Sequence, residues 1–185
     1  MTLTIKRKVG QTLPTICGII SDRTGPVSLA SYTVKFLMQA EIGGAVKVAE
    51  TPANVTKEPT QPFTASTSTS LLSRDNHGVK EGQQIIVASS GSLPTPLAAA
   101  TRYFAVNVGE NDFQLATRAG GPAIPITNAG SGNTFYVVGS VQYAQQAADM
   151  DTAGRFKAWF KGYTGSDFLA APVQEDLIVE ISAFS

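Results

Sequence analysis

The sequence has little of the side-chain chemistry that most enzymes and metal sites use. Its 185 residues include one cysteine and one histidine, and charged residues make up only 15%, with 14 basic against 14 acidic side chains. A single cysteine excludes a disulfide framework and a cysteine-based zinc site. A net charge of zero excludes a nucleic-acid binder that works by neutralising phosphates. We therefore expect a protein that is not an enzyme, has no cofactor or metal, and does not bind nucleic acid.

Long apolar runs are also missing. No stretch approaches the roughly 20 apolar residues that a membrane-spanning helix needs. The N-terminal sequence MTLTIKRKVG places its charges after a short apolar stretch, whereas a signal peptide has them before a longer one. These features predict a protein made in the cytoplasm, without a membrane partner, that stays there or leaves inside something larger. Lys6, Arg7 and Lys8 are expected to form a solvated face.

Turn residues and alternating apolar residues dominate the sequence instead. Glycine and proline contribute 17 and 10 residues, which favours turns over long helices. Apolar residues alternate with other residues in SYTVKFLMQ, RFKAWFKGY and LIVEI, the spacing of strands that have one buried face. Only AAA and AQQAADM favour a helix, and both are too short for more than one or two turns. The predicted fold class is all-β.

Composition changes twice along the chain and predicts two domains. Residues from about 58 to 139 are rich in serine, threonine, glycine and small apolar residues, whereas the strongest amphipathic strands lie in the flanks. The segment Lys57–Thr60 has the composition of a domain junction. We therefore predict a β-sandwich formed by residues 1–57 and 140–185, with a small β domain, residues 58–139, inserted in one of its loops.

The flanking segments carry a family pattern. GPVSLASYTVKFLMQAEIGGAVKV and, further along, GSVQYAQQAADMDTAGRFKAWF resemble the small immunoglobulin-like domain at the N-terminus of tailed-phage baseplate upper proteins. Asp151, Gly154, Phe156 and Ala158 match the D-x-x-G-x-aromatic-x-A spacing of that family. The resemblance implies an immunoglobulin-like β-sandwich in which a turn at Asp151 and Gly154 aims Phe156 into the core. Because Phe156 has no hydroxyl, this corner is expected to be held by packing alone.

The inserted segment resembles a small β module of phage tail, fibre and other virion proteins. The likeness is carried by His77-Gly78, the bend Gly91-Ser92-Leu93-Pro94, the pair Tyr103-Phe104 and the hairpin sequence from Asn111 to Ala116. Together the two resemblances imply a non-enzymatic structural protein of a tailed-bacteriophage virion. It would assemble as an oligomer of repeated accessory subunits on the particle exterior, in capsid decoration, head–tail joining, or tail, baseplate or fibre attachment. The implied partners are other virion proteins and copies of itself.

A second class of function stays open, a carbohydrate-binding adhesion module that contacts the host surface. Its candidate residues are Tyr103, Phe104, Asn107, Asn111 and Phe113, although alternation along strands turns half of them inward. The segment TASTSTSLLS is also compatible with a glycan-facing surface, but its length and position favour a polar connector. A glycan on the host surface is therefore the alternative partner.

Trp159 is the strongest candidate for an interface residue. Alternation places it on the face opposite Phe156 and Phe160, where an isolated sandwich would expose it. An exposed tryptophan supplies much buried area at an interface. The other explanation is that another strand or the inserted domain covers it. Tyr163 and Phe168 extend the candidate contact.

Four other residues have ordinary structural explanations. His77 is expected to lie in a turn, and Cys17, inside the apolar run TICGII, is expected to be buried as a small hydrophobic residue. Asp149 and Asp151 stand at alternate positions, as in a calcium-binding loop, but the turn glycine and the closing glutamate of such a loop are missing. A solvated loop or a contact between subunits is the preferred explanation.

Overall fold

The computed structural model describes residues 3–22, 24–165, 167–171 and 177–183. About half of the chain is strand, which confirms the predicted all-β fold class. One short 3₁₀ helix, η1, occurs within these ranges, at Ala147–Met150. The strands are β1 (Leu3–Lys8), β2 (Ile16–Ile19), β3 (Ser21–Asp22), β4 (Gly25–Pro26), β5 (Thr33–Ala40), β6 (Val46–Thr51), β7 (Val55–Lys57), β8 (Gln61–Pro62), β9 (Thr64–Ala65), β10 (Leu72–Ser73), β11 (Gln84–Ser92), β12 (Arg102–Val106), β13 (Asp112–Ala116), β14 (Ser131–Val137), β15 (Ser140–Tyr143), β16 (Gly154–Thr164), β17 (Asp167–Ala171) and β18 (Leu177–Ser182).

The strands divide between two compact units. Unit 1 comprises residues 1–57 and 139–185, and unit 2 comprises residues 58–138. The second boundary lies one residue before the expected one. Gly139 stands there with a φ of 75°, and a Cβ at this position would lie 2.5 Å from the carbonyl oxygen of Ile20. The chain therefore needs a glycine at this boundary, both for the backbone conformation and for the close approach.

Unit 1 is a sandwich of two sheets, with a separate two-stranded sheet formed by β3 and β4. The larger sheet has the strand order β1-β18-β16-β5-β6, with β17 also pairing with β16, and the smaller has the order β2-β15-β7. β1 runs parallel to β18, and β16 runs antiparallel to both β18 and β5. This is the strand arrangement of an immunoglobulin-like sandwich. Along the chain, unit 2 forms the connection between β7 and β15.

The core of unit 1 lies between these two sheets. The Phe36 ring of β5 stacks on the Tyr143 ring of β15, with centroids 4.0 Å apart, and contacts the Phe160 ring with centroids 5.1 Å apart. A Cβ at Gly18 of β2 would lie 3.1 Å from the Phe160 ring, so a glycine lets the two sheets approach here. The other buried residues of this core are Ile16, Ile20, Leu29, Val34, Met38, Val48, Val141, Met150, Phe156, Ala158, Leu177, Val179 and Ile181.

Cys17 is exposed, so the prediction that it is buried was wrong. Ile16 beside it lies in the core with no exposure, and neighbours along a strand point to opposite faces. β2 therefore turns Cys17 outward, where its Sγ lies 3.6 Å from Thr15 Oγ1. The run TICGII contains the strand β2. Because apolar residues lie on both faces of this strand, the sequence alone did not indicate which face is buried.

Unit 2 is one curled antiparallel sheet that closes on itself. Its strand order is β8-β14-β11-β12-β13-β10-β9. The two end strands are consecutive parts of one segment, 61–65, in which only Phe63 separates β8 from β9. This segment pairs with β14 at its beginning and with β10 at its end. The core inside the closed sheet contains Phe63, Leu72, Val79, Ile85, Val87, Leu97, Tyr103, Ala105, Phe113, Leu115, Ile126 and Phe135.

Removing unit 2 tests whether unit 1 folds by itself. Lys57 lies directly opposite Val141 in the β7–β15 ladder, so a short Asn-Gly linker in place of residues 58–139 can close a hairpin there. We expect the shortened chain to unfold in a single cooperative transition in urea, followed by circular dichroism. The control is the separate segment 58–138, expected to unfold cooperatively as well. A shortened chain without a cooperative transition would contradict independent folding.

Candidate functional site

The outer face of the larger sheet in unit 1 contains two of the three predicted interface residues. Trp159 and Tyr163 both lie on β16 and alternate with the fully buried Phe160. Trp159 stands directly opposite Leu37 of β5, and both are half-buried. Phe168 stands opposite Tyr163 in β17, but its side chain lies outside the described residues. The backbone thus places Tyr163 and Phe168 directly opposite each other, whereas Trp159 lies four residues along β16 from Tyr163.

Tyr163 is held by charged groups around Glu50. Its hydroxyl donates to Glu50 Oε1 at 2.6 Å, and Lys161 Nζ donates to Glu50 Oε2 at 3.1 Å. Lys35 Nζ lies 3.5 Å from the same carboxylate and 4.7 Å from the centre of the Tyr163 ring. The bond from Tyr163 and the neighbouring ammonium groups lower the pKa of Glu50. The outer face therefore presents a fixed tyrosine in a network that links β5, β6 and β16.

Trp159 lies on a part of the outer face that other residues already cover in part. Ile178 pairs directly with Lys157 and so shares that face, yet it is only 1% exposed. Trp159 is half-buried, so its side chain is more exposed than that of a core residue but is not fully exposed. Its role at an interface stays a prediction.

The predicted structural turn has a different construction from the one expected. Phe156 is 6% exposed and packs in the core of unit 1, and Gly154 begins β16. Asp151, however, is exposed, and its carboxylate bonds Lys47 Nζ and the Thr152 hydroxyl. Both bonds lower the pKa of Asp151, and the bond from Lys47 has the larger effect. The Asp151 carboxylate thus fastens the corner to β6.

Asp149 holds the corner between β15 and β16. Its Oδ2 accepts the Tyr143 hydroxyl at 2.8 Å and the backbone N–H of Gln146 at 2.7 Å. Tyr143 is 1% exposed, and burial together with Asp149 raises the pKa of its hydroxyl. The expectation that packing alone holds this corner was therefore wrong. The hydroxyl is supplied by Tyr143 in the strand before the corner, whereas the family spacing indicates only Phe156 in the strand after it.

Arg7 has a structural role that the sequence argument missed. Expected on a solvated face, it is only 8% exposed, and one terminal nitrogen donates to the Pro14 carbonyl oxygen at 2.8 Å. Burial lowers the pKa of its guanidinium group. Arg7 lies on the same side of β1 as Ile5, which packs against the core. It thus fastens the segment between β1 and β2.

His77 stabilises a bend in unit 2. It is 4% exposed; its Nδ1 accepts the backbone N–H of Val79 at 2.9 Å, and its Nε2 lies 3.3 Å from the Asp112 carbonyl oxygen. Its ring also contacts the edge of Phe113. Because Nδ1 accepts, the proton of the neutral ring is on Nε2. Among the described residues, no group of three or more acidic, histidine or cysteine side chains is arranged to hold a metal ion.

The aromatic residues proposed for carbohydrate stacking do not form an exposed platform. Tyr103 and Phe113 are 5% and 0% exposed and belong to the core of unit 2. The Tyr103 hydroxyl accepts the backbone N–H of Ala98 at 2.8 Å. Phe104 is half-buried, whereas Asn107 and Asn111 are exposed. This set therefore leaves one aromatic side chain for stacking.

Unit 2 has a cleft at the β9–β10 hairpin. Its volume is about 360 Å³, and it is lined by Pro62, Phe63, Thr64, Ser73, Arg74 and Asp75. Arg74 Nε donates to Gln61 Oε1 at 3.0 Å, and Gln61 Nε2 donates to the His77 carbonyl oxygen at 3.2 Å. The segment interpreted as a connector thus contributes two short strands and part of a cleft.

In the part of the chain that the structure describes, no helix has the length and apolar character needed to cross a membrane. Comparison with protein-family models, with curated proteins and with solved structures finds no match for this chain. A functional hypothesis for the chain therefore depends on its own fold and side chains.

Proposed function

We propose that the chain is a non-enzymatic structural protein of a tailed-bacteriophage virion. It would be a repeated accessory subunit on the particle exterior, in capsid decoration, head–tail joining, or tail, baseplate or fibre attachment. Its partners would be other virion proteins and copies of itself. The observation that carries the proposal is the topology of unit 1, an immunoglobulin-like sandwich with a second β unit in the β7–β15 connection. This is the arrangement that the resemblance to phage structural proteins implies.

Sheet edges in unit 1 support an assembling subunit. β1 and β6 end the main path of the larger sheet, to which β17 adds a further edge beside β16, and β2 and β7 end the smaller sheet. Edge strands carry backbone groups that a neighbouring chain can pair. β6 is the least suitable of the four, because two register shifts interrupt its pairing with β5 and bulges protect an edge. We therefore expect strand addition at β1, β2 or β7.

The turn between β5 and β6 adds an apolar tip. Ile42 and Val46 are 90% and 63% exposed, and between them stand only two glycines and an alanine. Burying apolar surface stabilises an association. An assembled particle would give these side chains a partner that the isolated chain lacks.

The alternative function, a carbohydrate-binding adhesion module for the host surface, loses its proposed stacking platform because Tyr103 and Phe113 lie in the core. The cleft at the β9–β10 hairpin is a separate feature.

Quantitative mass spectrometry of purified particles, after separation of heads from tails, tests the proposed function. Hundreds of copies in the head fraction would identify capsid decoration. A few to a few dozen copies in the tail fraction would identify a connector, a baseplate part or a fibre attachment. Absence from both fractions would contradict a virion role.

Replacing Trp159 with alanine tests the outer face as an interface. We expect the isolated variant to stay folded by circular dichroism, while its incorporation into particles falls about tenfold or more, because a tryptophan hot spot contributes about 2 kcal/mol or more. The matched control is Phe104→Ala, which truncates a half-buried aromatic side chain of unit 2. An unfolded Trp159→Ala variant would assign the residue to the fold, and unchanged incorporation would remove it from the interface.

A further inference from the structure

We propose that the cleft at the β9–β10 hairpin of unit 2 binds an acidic saccharide, with the sugar carboxylate on the guanidinium group of Arg74. The Arg74 cleft, as we call it, is the space of about 360 Å³ lined by Pro62, Phe63, Thr64, Ser73, Arg74 and Asp75. This assignment is independent of the virion role and differs from the aromatic set considered above.

Arg74 is oriented for a ligand by its own neighbours. Gln61 accepts its Nε–H at 3.0 Å, and the His77 carbonyl oxygen fixes Gln61 in turn at 3.2 Å. All residues of unit 2 are described, and none of them bonds the two terminal nitrogens of Arg74. A guanidinium group held at Nε keeps its terminal N–H groups for a carboxylate, which they bind in a two-pronged arrangement. The cleft therefore contains a positioned guanidinium group whose terminal N–H groups can receive a carboxylate.

Hydroxyl groups stand beside this receptor. Thr64 and Ser73 are directly opposite each other in the β9–β10 ladder, so their side chains share one face. Both are exposed, and neither hydroxyl has a partner within unit 2. Hydroxyls both donate and accept hydrogen bonds, as the hydroxyls of a sugar do. Thr64 and Ser73 are thus suited to the polar edge of a sugar ring.

The remaining lining residues favour a saccharide over a bare anion. Asp75 is exposed at the cleft. Its carboxylate repels phosphate and a sugar carboxylate alike, but a saccharide also brings several hydroxyls that can donate hydrogen bonds to it. Pro62 is also exposed and offers an apolar surface to the C–H groups of a sugar ring. The cleft is a shallow, open depression of about 360 Å³, which gives room for a single sugar residue at the surface. A single acidic sugar residue matches this combination of charge, hydroxyls and size.

The test is an NMR titration of the full-length, ¹⁵N-labelled chain with glucuronate and with N-acetylneuraminate. We expect saturable shifts of the Thr64, Ser73 and Arg74 amides with at least one of these acids. Arg74→Gln should weaken binding about tenfold or more, because hydrogen bonds between charged groups are about twice as strong as neutral ones. Arg74→Lys keeps the charge without the forked geometry and should weaken binding as well. Arg118→Gln, an exposed arginine outside the cleft, is the matched control and should bind as the parent does.

Three results would overturn the proposal. The first is no saturable binding of either acid by a chain whose amide spectrum shows it folded. The second is equal binding of glucose, which lacks the carboxylate, or equal binding by a folded Arg74→Gln variant. The third is binding of inorganic phosphate as tight as that of glucuronate, which would make the cleft an oxyanion site. None of these outcomes depends on whether the chain is found in virions.

Discussion

Replacing Phe36 with alanine is expected to lower the free energy of unfolding of unit 1 by about 3–5 kcal/mol. Phe36 has no exposure, and its ring contacts Tyr143 and Phe160 across the centre of the sandwich. Truncation leaves a cavity between two sheets and also removes two aromatic contacts. Urea denaturation followed by the fluorescence of Trp159, the single tryptophan, measures the loss within unit 1.

The matched control for this prediction is Leu37→Ala. Leu37 is the next residue of β5, but it lies on the outer face and is half-buried. Its truncation should cost clearly less, because less apolar surface is lost and solvent fills the space. Equal losses for the two variants would contradict the placement of the core between the sheets.

Replacing Asp149 with alanine is expected to lower the free energy of unfolding by about 1–3 kcal/mol, because this is the cost of leaving a buried polar group, here the Tyr143 hydroxyl, without its partner. The change removes the acceptor of the buried Tyr143 hydroxyl and of the Gln146 backbone N–H. The measurement is again urea denaturation with Trp159 fluorescence. Asp151→Ala is the control and should cost less, since Asp151 is exposed.

A double-mutant cycle separates the contribution of the Tyr143–Asp149 hydrogen bond from any other loss of stability that the substitutions cause. In the Tyr143→Phe background the hydroxyl is absent, so Asp149→Ala leaves only the Gln146 N–H without its acceptor. We expect the effect of the Asp149 change to shrink by about 1 kcal/mol there, as it does for residues in direct contact. Strictly additive effects would show that the bond between the two side chains does not stabilise the corner.

Which face of a strand is buried could be predicted where one face is apolar and the other is polar. β5 and β16 have such a pattern, and the residues expected inward, Phe36 and Phe160 among them, are buried. β2 lacks it, because Ile16, Cys17 and Ile19 supply apolar residues to both faces. Period-two alternation then fits either orientation, so the exposure of Cys17 could not be derived from local sequence.

Contacts between distant residues account for most of what the sequence did not indicate. Three cations in a row at Lys6–Lys8 suggest a solvated face, yet pairing with β18 places the middle one toward the core. The connector of residues 64–73 has no strong strand pattern, and its short strands form because the closed sheet offers partners to both. The Arg74 cleft depends on that closure, and so it could not be found by inspecting the segment alone.

The closure of unit 2 limits the ways in which the second units of neighbouring copies can associate. The first and last strands of this sheet are two-residue parts of the same segment, so the sheet has no long end strand on which a neighbour can extend it. If many copies are held close together, their second units would meet chiefly through side chains. Such contacts are discrete and reversible, and single substitutions can alter them without disturbing the backbone. Under the proposed assembly, surface residues of unit 2 would be free to diversify, while those on the open edges of unit 1 would be constrained by strand pairing.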